Sequence, residues 1–217
     1  MSVNSKTPLY EQVARISKAL SSPKRLELLD LLVQGTKSVD QIAEQAHIDI
    51  KLASAHLKTL KAANLVESRR DGKFMVYSLN GDDVPAMLVH LRELAESHLV
   101  EFSLKLAEIG SQHSSASVEG HKTLLKKLRA GEAVLLDLRP TDEYEAGHLP
   151  MARSVPIDEI RLGLKAISPE VEVVAYCRGP FCRWSDEAIA ILQANGFKAN
   201  KLSYGVAEWR AAGYTTE

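Results

Sequence analysis

The polar stretch Gly110-Ser-Gln-His-Ser-Ser-Ala-Ser-Val-Glu-Gly120 divides this 217-residue chain into halves whose hydrophobic rhythms differ. Before it, apolar residues recur at helical spacing. After it, short apolar runs alternate with helix-like segments. Ser/Gly-rich composition of this kind suits a linker, and two periodicities call for two cores. The chain is therefore predicted to fold as two domains of different class, 1–109 and 121–217, joined by a linker over 110–120.

In the first half, Val13, Ile16 and Leu20 begin a helical stripe. Ser22-Pro23 reads as an N-cap followed by proline at the first helical position, leading into Leu26, Leu29 and Leu32, with Gly35 ending the helix. Ser38-Val-Asp-Gln41 matches the capping-box pattern and opens a short helix to about Ala46. A further helix is expected from near Asp49 to Ala62. Leu65–Arg70 and Lys73–Leu79 are β-like runs joined by Asp71-Gly72, a strong hairpin signal. Pro85 then starts a long helix over 84–109, with apolar residues at 87, 88, 91, 94, 95, 99, 102, 106 and 109. An apolar stripe of that length exceeds what one small domain needs, so pairing with a second copy of the same helix is expected.

In the second half, Val134–Asp137 and Val171–Ala175 read as buried strands and Lys198–Leu202 as a weaker third. Helices are expected over 121–130, 141–146, 157–166, 184–195 and 205–212. This alternation implies a central parallel sheet in an α/β domain.

Composition narrows the function classes. The net charge of −1 conceals a basic segment, 51–73, with six Lys/Arg against two acids, and an acidic one, 82–108, with six acids against two bases. The first suits a polyanion. No apolar run is long enough to span a bilayer and the N-terminus lacks a signal-peptide core, so a cytoplasmic protein without membrane contact is expected.

Both cysteines, Cys177 and Cys182, fall in Tyr176-Cys-Arg-Gly-Pro-Phe-Cys-Arg183. A disulfide framework is thereby unlikely, and a reactive thiol pair in a reducing compartment fits better. An apolar run precedes the segment and a helix-like run follows. This predicts a strand, a tight turn and a helix start whose N–H groups face the first thiol. The helix N-terminus, Arg178 and Arg183 would all favour a thiolate.

Two short helices, a tight turn and a basic hairpin form the arrangement of a winged helix-turn-helix, mainly α with a β-hairpin wing. Over about residues 8–105 the chain resembles the ArsR family of bacterial transcriptional regulators. The resemblance runs through Ala19-Leu-Ser-Ser-Pro-Lys-Arg-Leu26, Ser38-Val-Asp-Gln-Ile-Ala43, Ser54-Ala-His-Leu-Lys-Thr-Leu60 and Ala63-Asn-Leu-Val-Glu-Ser-Arg69. It implies a homodimer, paired through the helix at 84–109, on double-stranded operator DNA. On the recognition helix Leu52, Leu57 and Leu60 are expected to face the core. Lys51, Ser54, Ala55, His56 and Lys58 are then left to face DNA, and Arg69, Arg70 and Lys73 at the wing to touch its backbone. Members of the family often sense metals, but here the first half has no cysteine. The spacing of His90, Glu93, His98 and Glu101 does not reproduce the family's zinc site. No metal and no cofactor are expected.

Over about residues 116–214 the chain resembles the rhodanese family of sulfurtransferases. The carriers are Leu135-Leu-Asp-Leu-Arg139, Glu143-Tyr-Glu-Ala-Gly-His-Leu-Pro150, Ala152-Arg-Ser-Val-Pro156, the Cys177 loop and Gly205-Val-Ala-Glu-Trp-Arg-Ala-Ala-Gly213. The resemblance implies that Cys177 is a nucleophile taking sulfane sulfur as a persulfide, with Arg178 and Arg183 attracting an anionic donor such as thiosulfate or a polysulfide. Asp137, Arg139, Glu143 and His148 read as structural ties. The loop departs from the commonest rhodanese form: Gly179 stands one place early and Pro180 removes a donor. Cys177-x5-Arg183 also fits the signature of rhodanese-fold phosphatases and arsenate reductases, for which Asp186 and Glu187 are weak general-acid candidates. Cys182 is either a resolving thiol or a small buried residue.

Two readings follow. In the first, the chain is a transcriptional regulator, a repressor, that senses reactive sulfur species through Cys177. In the second it is a sulfurtransferase or arsenate-reductase-like enzyme whose DNA-binding half serves recruitment or autoregulation.

Overall fold

The computed structural model describes residues 6–108, 118–160, 167–168 and 170–217. Two units emerge, residues 1–88 and 89–217, with the division falling inside one helix.

The first unit begins with α1 (Thr7–Leu20) and α2 (Pro23–Val33). Ser22 occupies the N-cap of α2 with extended backbone, although its side chain makes no capping bond. A two-residue strand β1 (Lys37–Ser38) leads into α3 (Val39–Gln45). Here the expected capping box is present. Gln41 N–H donates to Ser38 Oγ at 3.2 Å, and Ser38 N–H donates to Gln41 Oε1 at 2.9 Å. Asp49 caps α4 (Ile50–Ala62) by accepting the Leu52 N–H at 2.9 Å. The hairpin of β2 (Val66–Asp71) and β3 (Phe74–Leu79) follows, and β1 joins it to give the antiparallel order β1-β3-β2.

Two expectations need correction in this unit. Asp71 pairs with Phe74, so the turn residues are Gly72 and Lys73, one place later than Asp71-Gly72. The glycine, at φ +57, takes the first central position, where a two-residue hairpin turn demands a positive φ. Leu52 does not face the core. It is 41% exposed, whereas Ala53, Leu57 and Leu60 are fully buried. These three recur at i, i+4 and i+7 on one helical face, and Leu52 lies about 100° away from it.

The helix expected as one piece over 84–109 is two, α5 (Asp83–His98) and α6 (Val100–Glu108). At the break, Phe102 N–H bonds the Leu99 carbonyl three residues back at 3.0 Å. Ser97 Oγ donates to the Leu94 carbonyl and Ser103 Oγ, from beyond the break, to the Glu96 carbonyl, so two carbonyls near the end of α5 gain side-chain partners. Residue 109 and most of the expected linker lie outside the described residues. Helix α7 (Val118–Arg129) takes up its last three positions.

The second unit is built on the parallel order β5-β4-β6-β7, with β4 (Ala133–Asp137), β5 (Arg153–Ser154), β6 (Glu172–Tyr176) and β7 (Ala199–Lys201). Side chains alternate between two cores. Leu135, Val174 and Tyr176 join Leu124, Leu128 and Trp209, whereas Leu136, Val173 and Ala175 join Ala188 and Leu192. A sheet buried on both faces explains why its strands read as continuous apolar runs. The remaining helices are α8 (Thr141–Glu145), α9 (Trp184–Ala194) and α10 (Val206–Ala211). Of the helix expected over 157–166, Ile157–Glu159 forms a 3-10 turn and 161–166 lie outside the described residues.

From β4 the chain runs outward to β5, then returns to place β6 on the other side of β4. The carboxyl ends of β4 and β6 thus flank a topological switch point, where open α/β sheets form their clefts. Cys177 is the first residue past β6.

Candidate functional site

The strand ends beneath Cys177 are fixed by a buried polar network. Asp137, fully buried at the end of β4, accepts from Arg139 Nη2 at 2.6 Å, and Tyr176 Oη donates to Asp137 Oδ2 at 2.5 Å. Arg139, 1% exposed, also donates to the Gly147 carbonyl at 2.8 Å, and Leu149 N–H donates to Tyr176 Oη at 3.0 Å. Burial drives the Tyr176 hydroxyl well above its ordinary pKa, reinforced by the Asp137 charge, so it stays a neutral donor. Burial alone would lower the pKa of Arg139, but its bonds to Asp137 more than offset this and leave it raised. His148 stacks on Tyr144 with ring centroids 3.7 Å apart, and its backbone pairs with Glu217.

On this base the thiol loop closes tightly. Cys182 N–H donates to the Gly179 carbonyl at 3.1 Å across a turn with Pro180 at its second position. Proline's fixed φ suits that position, so the residue that removes a donor also builds the turn. Gly179 sits at φ +122. The turn brings Cys182 back to Cys177, and the two sulfurs are joined as a disulfide with Cα atoms 6.3 Å apart. Cys177 is 2% exposed. Ser185 Oγ donates to the Cys182 carbonyl at 3.3 Å, tying the loop to α9.

The two loop arginines differ. Arg178 lays a bidentate fork on Glu143, Nε to Oε2 at 2.9 Å and Nη2 to Oε1 at 2.6 Å. Its guanidinium also stands 4.9 Å from the centroid of the Trp184 ring. Glu143 is 1% exposed, so the Arg178 charge is compensated by a buried carboxylate. Arg183, at the N-cap of α9, is exposed and makes no ion pair among the described residues. Asp186 is held by Lys201 Nζ at 2.8 and 2.9 Å, and Glu187 is exposed.

Sequence reasoning missed three residues that border this loop. A Cβ on Gly205 would stand 2.7 Å from the Cys177 carbonyl oxygen and 3.2 Å from backbone atoms of Arg178 and Gly179. Gly205 N–H donates to Glu208 Oε2 at 2.8 Å, and Glu208 Oε1 accepts from Arg92 of α5. The glycine opening Gly205-Val-Ala-Glu208 was the available signal for close approach. Nothing in the spacing announces Arg92.

On α4, Lys51, Ala55 and Lys58 are exposed and Ser54 and His56 half-buried, all off the face carried by Ala53, Leu57 and Leu60. At the wing Arg69, Arg70 and Lys73 are exposed. Arg69 lies 3.7 Å from Asp71, and Arg70 Nε donates to the Gly72 carbonyl at 3.1 Å. His90, Glu93, His98 and Glu101 are all exposed, and no group of three or more His, Cys, Asp or Glu side chains among the described residues could hold a metal. No helix among them is long and apolar enough to cross a membrane.

Residues 22–68 match the family described as bacterial regulatory protein, arsR family, and residues 121–212 match the rhodanese-like domain. The chain is thus a transcriptional regulator combining an ArsR-type winged helix-turn-helix with a rhodanese-like domain. Over 96% of its length it is 38% identical to the HTH-type transcriptional regulator Rv0324 of Mycobacterium tuberculosis, covering 91% of that protein, and it belongs to the same family. The first half is also 42% identical over 65 residues to the transcriptional repressor SdpR of Bacillus subtilis, covering 72% of it. Among solved structures, a homodimeric winged helix-turn-helix domain from Mycobacterium bovis is 39% identical, covering 46% of this chain and 94% of its own, with a TM-score of 0.43.

Proposed function

We propose that this regulator is a homodimeric repressor of operator DNA that responds to sulfane sulfur accepted at Cys177. The observation that carries the reading is the disulfide between Cys177 and Cys182 at the carboxyl end of a central strand, beside the exposed Arg183. In its reduced form, the Cys177 thiolate attacks the outer sulfur of thiosulfate. The S–S bond of the donor breaks, sulfite leaves, and Cys177 carries a persulfide. The Cys182 thiolate then attacks the Cys177 sulfur, forming the disulfide and releasing hydrogen sulfide. Polysulfide donors follow the same balance, losing one sulfur. Arg183 attracts the anionic donor, and Arg178, compensated by Glu143, positions the loop.

Lys51, Ser54, Ala55, His56 and Lys58 form the major-groove face, and Arg69, Arg70 and Lys73 supply phosphate contacts. Dimer pairing is supported by the exposed apolar residues Leu91, Leu94, Leu99, Val100 and Leu104 on α5 and α6. Both oxygens of Asp186 accept from Lys201, which occupies the carboxyl that would have to serve a leaving group and so favours sulfur transfer over phosphate or arsenate chemistry.

The test begins with operator sequences selected from a random duplex library. Their affinity is then titrated with and without sodium tetrasulfide, for the wild type, Cys177→Ser and Cys182→Ser. The wild type should lose affinity, Cys177→Ser should not respond, and Cys182→Ser should accumulate the persulfide without forming a disulfide. Equal affinity in every condition refutes the sensor reading, while thiocyanate formation from thiosulfate and cyanide under those conditions points to a recruited enzyme.

A further inference from the structure

Within the second unit, the tip of the thiol loop is held by side chains from α5 and α6. Glu208 is central. One carboxylate oxygen accepts the Gly205 N–H and the other accepts from Arg92, and both side chains of that ion pair are largely buried, at 17% and 16% exposure. Both carboxylate oxygens also lie 3.3 Å from the position of a Gly179 Cβ, and Arg92 Nη1 lies 3.6 Å from it. Glu208 and Arg92 therefore pack directly on the turn that joins the two cysteines. Phe181, the residue before Cys182, keeps 44% of its surface exposed and meets a side chain from each of the two helices. The Arg92 guanidinium stands 5.4 Å from its ring centroid, and the Phe102 ring meets it edge to face at 6.1 Å.

None of Arg92, Phe102 and Phe181 carries a nucleophile. Glu208 already satisfies the Gly205 N–H without Arg92, and Phe181 and Phe102 carry no reactive group. The contacts place side chains of two helices against Gly179 and Phe181. Residues 179–181 are three of the four residues between Cys177 and Cys182, so breaking or forming the disulfide changes their allowed conformations.

We propose that Arg92 of α5 and Phe102 of α6 are the points at which these helices read the oxidation state of the Cys177–Cys182 loop. The inference rests on the loop cycling chemically, as in the proposed function. The contacts described are those of the disulfide form, and they favour it to the extent that the dithiol loosens them. Linkage makes the effect reciprocal: whatever α5 and α6 gain from the disulfide, the disulfide gains from them.

The reciprocal arm can be measured without operator DNA. Full-length protein is equilibrated with glutathione and glutathione disulfide, in which the two thiols are oxidised as one glutathione disulfide becomes two glutathiones. The fraction oxidised is read by alkylation and mass spectrometry. Arg92→Gln and Phe102→Ala should each shift the equilibrium toward the dithiol by about fivefold. Glu208→Gln, which keeps an acceptor for Gly205 N–H but loses the charge, should act like Arg92→Gln. Hydrogen exchange of amides 89–108 should differ between the oxidised and reduced wild type, and that difference should shrink in Arg92→Gln. If the wild type cycles but all three variants keep its equilibrium and its exchange difference, the inference is overturned and the sulfur chemistry stands. If the wild-type loop does not cycle with glutathione at all, the proposed function fails, and this inference with it.

Discussion

Replacing Gly205 by alanine opposes two effects of known size. Its φ of −119° is open to any residue, so alanine suffers no backbone strain and stiffens the unfolded chain, a gain of about 0.4–1 kcal/mol. Against this, the new methyl would stand 2.7 Å from the Cys177 carbonyl oxygen, whereas ordinary contact begins at 3.4 Å. The obstructing atoms are all backbone, of Cys177, Arg178 and Gly179, so no flexible side chain can swing aside. The loop and the start of α10 must part by roughly 0.7 Å, and overpacking of that kind costs about 1–3 kcal/mol. The clash wins, and Gly205→Ala should be less stable by about 1–2 kcal/mol. Urea unfolding followed by tryptophan fluorescence isolates the effect, because both tryptophans, Trp184 and Trp209, belong to the second unit. Sulfur acceptance from thiosulfate should fall by about tenfold or more as the loop is displaced. A variant as stable as the wild type, with unchanged sulfur acceptance, would refute the close-approach argument.

The buried network and the outer ion pairs give further tests. Arg139→Ala leaves the fully buried Asp137 carboxylate without its cation and should cost about 3–5 kcal/mol in the same unfolding assay. Glu172 is held below its ordinary pKa of 4.5 by the hydrogen bond from Lys127, an effect larger than the opposing push of burial. Its contribution is therefore complete above pH 4.5 and is lost as the pH falls through the lower folded value. Because Lys127 is 41% exposed, Glu172→Gln should cost only a few tenths to about 1 kcal/mol at pH 7, and nothing once the carboxyl is protonated, as pH-dependent urea midpoints would record. At the proposed DNA face, Lys58→Ala should weaken operator binding across sequences and reduce the salt slope by about one, as salt titrations of Kd would reveal.

The limits of sequence reasoning are visible in particular residues. Capping signals are local, so the box of Ser38 with Gln41 stands where the sequence places it. The two-residue strands β1 and β5 escaped notice because such short segments carry no period. The hairpin turn slipped by one residue because cross-strand pairing fixes register, and the dipeptide alone does not. The break at Leu99 is concealed by an apolar stripe that runs through it without interruption.

By itself the sequence determined the classes of both halves and the concentration of both cysteines in one loop. Each follows from periodicity, composition or chemistry carried by neighbouring residues. Tertiary structure alone decided the contacts that loop makes. It joined Cys177 to Cys182 and compensated Arg178 with a buried carboxylate 35 positions away, leaving Arg183 exposed. It also brought Arg92 to Glu208 across 116 positions. Such pairings depend on where strand ends and helices meet in space, and hydrophobic spacing along a chain records burial but not partners.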